Sequence, residues 1–187
     1  ERYELNNANG IFYQLKWKIA YTLVLSKLRD ALGGEFRIVV SGGSSLNPKL
    51  CRIFHAAKIP VYEGYGLTET SPVITVSSSE PKGLKIGTVG PPLPGVEVKI
   101  AEDGEVLSRG PNRMIGYYRD PELTASVFDE EGWFHTGDVG KIDQDGHLII
   151  TGRKKETFKT SSGKWISPQP IENKLTASLF IDAAVVL

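Results

Sequence analysis

Apolar residues between Leu15 and Leu32 recur at three- and four-residue steps, through Ala20, Leu23, Val24, Leu28, Ala31 and Leu32. That spacing predicts an amphipathic helix with one inward face, ended by Gly33-Gly34. The pattern then shortens. Phe36 to Val40 is a continuous apolar run that reads as a strand, and SGGSS (41–45) follows it as a tight loop. Asn47-Pro48 supplies an N-cap and a proline at the first helical position, and Leu50, Ile53, Phe54 and Ala57 stripe the helix behind it. After Pro60 a second strand, Val61-Tyr62, runs into EGYGLTETSP (63–72). A strand, a helix and a strand in that order predict parallel pairing with a right-handed crossover. Both SGGSS and EGYGLTE then leave the sheet at the carboxyl edge, where open α/β sheets place their ligands.

From about Gly83 the pattern changes to short alternating strands broken by Pro91, Pro92, Pro94 and many glycines. Val96, Val98 and Ile100 alternate with charged residues, and Asp103-Gly104 and Asp145-Gly146 are hairpin turns. A short helix starts at Asp120-Pro121 and ends near Phe128. A third zone opens near Arg153 and continues through a capped helix from Ser167 to Leu175. The apolar run IDAAVVL (181–187) reads as an unfinished strand that has no partner yet. The fold expected is α/β plus β: residues 1–82 end a parallel α/β subdomain that binds nucleotide, 83–152 form a small barrel-like β subdomain, and 153–187 start an α+β C-terminal domain. The chain has no initiator methionine and stops inside an apolar run, so it reads as a fragment.

Composition narrows the partners. Twenty-two Lys+Arg balance 22 Asp+Glu, so no whole-molecule field favours nucleic acid or an anionic membrane. A single cysteine, Cys51, excludes an intrachain disulfide and a cysteine-built metal site, which suits a reducing compartment, with the cytoplasm as default. No apolar run is long enough to span a bilayer.

Glu63 to Glu69 packs two glycines, a tyrosine, a threonine and a carboxylate into seven residues. A structural turn would use the glycines and the tyrosine, but a nucleotide would use all of them. The other candidates have plainer readings. SGGSS lacks the lysine of a phosphate-binding P-loop; Thr68 and Glu69 could cap a helix. Asp138 could brace the turn at Gly137, and Arg153-Lys154-Lys155 could be a solvated charge run. His55, His135 and His147 have no metal-site spacing and read as packing or surface residues.

Taken together and in order, SGGSSLNPKL, YEGYGLTETSP, GTVGPPLPGVEVKI, WFHTGD and GRKKETFKTSSGKWISPQPIE resemble the core motifs of the adenylate-forming (AMP-binding) enzymes. From Phe36 onward the chain is most similar to bacterial long-chain fatty-acid–CoA ligases. The resemblance implies a two-step reaction: a fatty carboxylate attacks MgATP to give an acyl-adenylate, and coenzyme A then takes the acyl group as a thioester. Two other readings stay open, an adenylation domain that loads a carrier protein and a noncatalytic nucleotide-binding module. Fatty acid, ATP and coenzyme A are the partners implied, with no nucleic acid, and with peripheral association of the parent with the inner face of the membrane.

Carried over by motif, Gly42, Gly43 and Ser44 would form one side of an adenine slot, with Glu63, Gly64 and Gly66 along its edge and Tyr65 stacked on the base. Thr68 would meet the α-phosphate and Glu69 would hold Mg²⁺. Asp138 would accept the ribose hydroxyls, and Arg153 would approach the ribose or phosphate. Lys155 would be the hinge between the two steps, and Ser162 and Gly163 in TSSGKW would contact pantetheine. The family's phosphate loop and adenylation lysine are expected outside these residues, so the fragment alone is expected to be inactive.

Overall fold

The computed structural model describes residues 10–160, 165–176, 178 and 180–186. Helix α1 (Ile11–Ala20) continues through a π-helical segment (Tyr21–Leu25) into α2 (Ser26–Ala31). Gly33 and Gly34 both adopt positive φ, and the Gly34 N–H returns to the Arg29 carbonyl, which ends the helix where the sequence predicts. The inward face differs from the predicted stripe. Ile11, Phe12, Leu15, Ile19, Leu23, Val24 and Leu32 are exposed, whereas Tyr13, Trp17, Tyr21 and Leu25 are partly buried. Those four stand at steps of four, and an α-helix drifts by 40° over four residues. The extra residue of the π segment cancels that drift and keeps Leu25 on the face begun by Trp17.

Strand β1 (Val39–Ser41) pairs in parallel with β2 (Val61–Tyr65), with α3 (Pro48–Ala56) as the crossover. The Asn47 side chain accepts the Lys49 N–H at 2.8 Å, and Pro48 opens the helix, as predicted. Ala57, Ile59 and Val61 form a buried cluster covered by Leu25, Leu28, Phe36, Val39, Leu46 and Phe54. Burying Ile59 alone contributes about 2 kcal/mol. Of the predicted stripe, Phe54 and Ala57 pack inward while Leu50 and Ile53 are exposed, and Cys51 and Ala56 take the other inward positions. Burial pushes the Cys51 thiol up to about 11, with the neighbouring Glu63 adding to it.

β3 (Thr75–Val76) pairs antiparallel with β2 and closes a three-stranded sheet. A second sheet is an antiparallel meander of β4 (Glu97–Ile100), β5 (Glu105–Arg109), β6 (Phe134–Ile142) and β7 (Leu148–Arg153), in chain order. Gly104 and Gly146 occupy the two predicted hairpin turns at positive φ. Helix α4 (Pro121–Val127) stands between β5 and β6, capped by the Asp120 side chain on the Leu123 N–H at 2.9 Å. A two-stranded ladder of β8 (Phe158–Lys159) and β9 (Trp165–Ile166) precedes α5 (Pro168–Leu175). Ser167 makes no side-chain cap bond, so Pro168 alone marks that helix start. Residues 181–186 are not a strand: an apolar run becomes one only when a neighbouring backbone takes up its hydrogen bonds. Among the described residues no helix is long and apolar enough to cross a membrane.

Residues 89–92 join the two sheets. Leu148 of the second sheet exchanges backbone hydrogen bonds with this segment, accepting from Val89 N at 2.9 Å and donating to the Gly90 carbonyl at 3.0 Å. On its other side the Pro91 carbonyl accepts from Val76 N, and Pro92 bridges Thr75. Gly90 has φ +83, and a Cβ on it would overlap the Val76–Ser77 peptide.

The β5–β6 ladder is irregular beside Glu105. Glu105 is 4% exposed, yet its carboxylate accepts from Gly137 N at 2.9 Å, from His135 Nδ1 at 3.1 Å and from Lys154 Nζ at 2.7 Å. Burial raises the Glu105 carboxyl, but these three donors outweigh it and hold the group below its ordinary value of 4.5. His147 is buried too, with Nδ1 on Thr88 Oγ1 at 3.0 Å and Nε2 on the Lys82 carbonyl at 2.7 Å.

Two measurements check this account. Gly90→Ala combines a strained φ with an overlap, and is expected to lower stability in urea unfolding by about 3 kcal/mol, the upper end for overpacking. A carboxyl held low in the folded state contributes stability that is present above its unfolded value and lost as pH falls through the folded one. The wild-type thermal midpoint should therefore drop below pH 4.5, and Glu105→Gln should flatten that drop at the expense of a lower midpoint at neutral pH.

Candidate functional site

Strand β2 extends three residues further than predicted, so Glu63, Gly64 and Tyr65 are strand residues. Alternation along β2 puts Val61 and Glu63 on the buried face. Glu63 is 7% exposed, and its carboxylate accepts the Leu46 backbone N–H. Burial raises the Glu63 carboxyl, partly offset by that hydrogen bond. Glu63 thus holds the far end of the 41–45 loop from below, a role that its place in EGYGLTE does not suggest.

The parallel register, Ser41 opposite Glu63, sends both loops off the same edge. A Cβ on Gly42 would lie 3.5 Å from the Gly64 carbonyl, so these two glycines are backbone neighbours. Gly42, Gly43 and Ser44 are exposed, and the adjacent Ser45 hydroxyl accepts from Asn173 of α5 at 3.3 Å. Gly66 has a packing reason of its own, because a Cβ there would overlap the Pro72 carbonyl.

Tyr65 reaches across to the second sheet, where its hydroxyl donates to Asp138 Oδ2 at 2.7 Å. Asp138 is 4% exposed and lies opposite Arg153 in the β6–β7 register. Arg153 Nε donates to Asp138 Oδ1 at 3.0 Å, with its own side chain 59% exposed. Tyr65, Asp138 and Arg153 therefore form one chain of contacts drawn from three strands. Burial drives the Tyr65 hydroxyl far upward, so it is a donor across the physiological range. Each Asp138 oxygen takes one of these contacts, and a carboxylate oxygen can accept two hydrogen bonds.

Thr68 to Thr70 form a single 3-10 turn, with Thr68 exposed. Glu69 Oε1 accepts from the Tyr117 hydroxyl at 2.9 Å, and the Glu69 carbonyl accepts from Met114 N at 2.7 Å. Burial, then the Glu69 hydrogen bond, raises the Tyr117 hydroxyl. Asn112 Nδ2 donates to the Thr70 and Val73 carbonyls at 3.2 and 2.7 Å. Residues 112–117 thus clamp the turn that presents Thr68 and Glu69. Nothing in the spacing of Asn112, Met114 and Tyr117 marks them; only the folded chain brings them within reach of residues some 40 positions earlier.

Lys155 is exposed in the 3-10 turn Lys154–Glu156 and makes no ion pair among the described residues. Ser162 and Gly163 lie outside the described residues. Among the described residues no three His, Cys, Asp or Glu side chains cluster to hold a metal ion, so Glu69 would contribute a single carboxylate to one. A groove of about 290 Å³ between α1 and α3 is lined by none of the candidate residues.

The chain matches the family model "AMP-binding enzyme" over residues 9–118. It is 46% identical to the long-chain-fatty-acid–CoA ligase FadD15 of Mycobacterium bovis, over 95% of this chain and 29% of the ligase. It is 37% identical to human long-chain-fatty-acid–CoA ligase 6, over 81% of this chain and 23% of that protein. The chain therefore spans less than a third of these relatives. The fold is similar to Bacillus subtilis o-succinylbenzoate CoA synthetase in complex with its acyl-adenylate intermediate, with a TM-score of 0.75 and 28% identity over 87% of this chain and 36% of that one. An ATP-bound chimera, RpMatB-BxBclM, gives a TM-score of 0.73 and 33% identity over 85% of this chain and 34% of its own. With these motifs in this order on this fold, the chain belongs to the AMP-binding enzyme family.

Proposed function

We propose that the whole protein is an ATP-dependent fatty-acid–CoA ligase that makes an acyl-adenylate and passes the acyl group to coenzyme A. The observation that carries the reading is the meeting of Tyr65, Asp138 and Arg153 at the edge where the 41–45 loop leaves the first sheet. An aromatic ring beside bare glycine backbone, next to a carboxylate whose oxygens can each accept a second hydrogen bond, suits a nucleoside: ring for base, carboxylate for ribose hydroxyls. The similarity to named fatty-acid–CoA ligases supplies the acyl and thiol partners.

In this reading the chain's own groups position the substrates. Gly42, Gly43, Ser44, Gly64 and Gly66 flank the base, and Tyr65 stacks on it while its hydroxyl steadies Asp138. Glu63 holds the loop floor through Leu46. Thr68 donates toward the α-phosphate. Glu69, steadied by Tyr117 on one oxygen, leaves the other for a hard cation, and Mg²⁺ bound there with phosphate oxygens would neutralise charge at phosphorus. Arg153 shares Asp138 with the ribose, and Lys155 is the hinge, with Ser162 and Gly163 facing pantetheine. The organisation follows the same lines: residues 1–82 carry the base side, 83–152 the ribose side, and 153–187 begin the part that reorients.

Substitutions in the whole protein separate these roles. Asp138→Asn is expected to raise KM for ATP about tenfold or more, the cost of weakening a charge-assisted hydrogen bond, with fatty-acid affinity within twofold. Unchanged KM for ATP in steady-state kinetics would remove Asp138 from the nucleotide site. Tyr65→Phe keeps the ring and should move KM for ATP by less than about fivefold, whereas Tyr65→Ala loses stacking of about 1–3 kcal/mol and should move it by at least about fivefold. Equal effects of the two substitutions would count against stacking.

A further inference from the structure

The buried carboxylate of Glu105 has no part in the reading above, yet it touches both ends of the site. Between the pairs Glu105↔Val139 and Leu107↔His135, strand β6 carries three residues, 136–138, against Val106 alone. This bulge presents Asp138. At its apex Gly137 has φ +71, and its N–H, turned out of the ladder, donates to Glu105 Oε1 at 2.9 Å. Without an acceptor that N–H would be an orphan donor. The other oxygen, Oε2, takes His135 Nδ1 at 3.1 Å and Lys154 Nζ at 2.7 Å. Lys154 also pairs with Asp103 Oδ2 at 2.6 Å.

Lys154 stands between Arg153, which is paired with Asp138, and Lys155, which is exposed and has no ion pair among the described residues. The anchoring stops one residue before Lys155. We propose that Glu105 is a positioning residue that couples the Asp138-bearing bulge to Lys154, and so makes residue 154 the fixed base from which the chain turns at Lys155. The turning at Lys155 rests on the ligase reading; the coupling between bulge and base does not. Because such a coupling is reciprocal, releasing Lys154 must loosen the bulge, and releasing the bulge must loosen the segment after β7. A local surface ion pair would loosen only its own turn.

Amide hydrogen exchange on the whole protein tests this without substrate. Lys154→Met is expected to speed exchange about tenfold in two separate segments, 135–138 and 153–157, with α3 and β4 at wild-type rates. Lys154→Arg, which keeps the charge, should restore both. Glu105→Gln should loosen the same two segments. Asp103→Asn removes the other partner of Lys154 but leaves Glu105, and should leave 135–138 at the wild-type rate. Acceleration confined to 153–157 in Lys154→Met, acceleration throughout the molecule, or loosening of 135–138 by Asp103→Asn overturns the coupling through Glu105. Failure of the wild-type protein to form acyl-CoA would instead overturn the ligase reading and leave the exchange result standing.

Discussion

The four residues 89–92 hydrogen-bond to both sheets, and the candidate site exists because they do. Val89 and Gly90 pair with Leu148 in the second sheet, while Pro91 and Pro92 meet Val76 and Thr75 in the first. The prolines lack N–H donors, so each contributes a carbonyl or an edge contact and interrupts neither ladder. Gly90 lets the backbones approach where any side chain would overlap Val76. With the sheets held in this way, Tyr65 at the end of β2 reaches Asp138 in β6, 73 residues later.

Around that contact the polar groups fall into two kinds. Glu63 and Glu105 are buried and spend their oxygens on backbone N–H groups and local cations, so they shape the loops that carry the exposed groups. Gly42, Gly43, Ser44, Thr68 and Lys155 are exposed and have little to hold within the chain, as expected of groups proposed to meet a ligand. Asp138 belongs to both kinds: it is buried, and each of its oxygens has one partner where a carboxylate oxygen can accept two. Tyr117 and Asn112 extend the first kind to the Thr68–Thr70 turn, which backbone bonds within the turn would leave weakly fixed.

The helix at the start of the chain follows a different rule. Its apolar residues outnumber one face, and the face that packs is chosen by the four-residue spacing of Trp17, Tyr21 and Leu25, which the π segment accommodates. Trp17 settles the choice further, because its indole N–H donates to the Ala56 carbonyl at 3.1 Å at the end of α3. A periodicity count does not see such a bond, and so favours the stripe through Leu23 and Val24, which is exposed.

By itself the sequence determined the local features. Asn47-Pro48 and Asp120-Pro121 start helices, Gly33-Gly34 ends one, and Gly104 and Gly146 turn hairpins, because capping and positive φ are decided within a few residues. The order of its motifs was enough to place it in the AMP-binding family. Only the tertiary structure decided which apolar face is buried, that β2 runs on to Tyr65, and that the 181–186 run is not a strand. It also brought Asn112 and Tyr117 to the Thr68–Thr70 turn and Glu105 to Gly137. The contacts of Tyr65, Asn112, Tyr117 and Glu105 join residues 32 to 73 positions apart, and hydrogen bonds over such spans leave no periodic trace in the sequence that makes them.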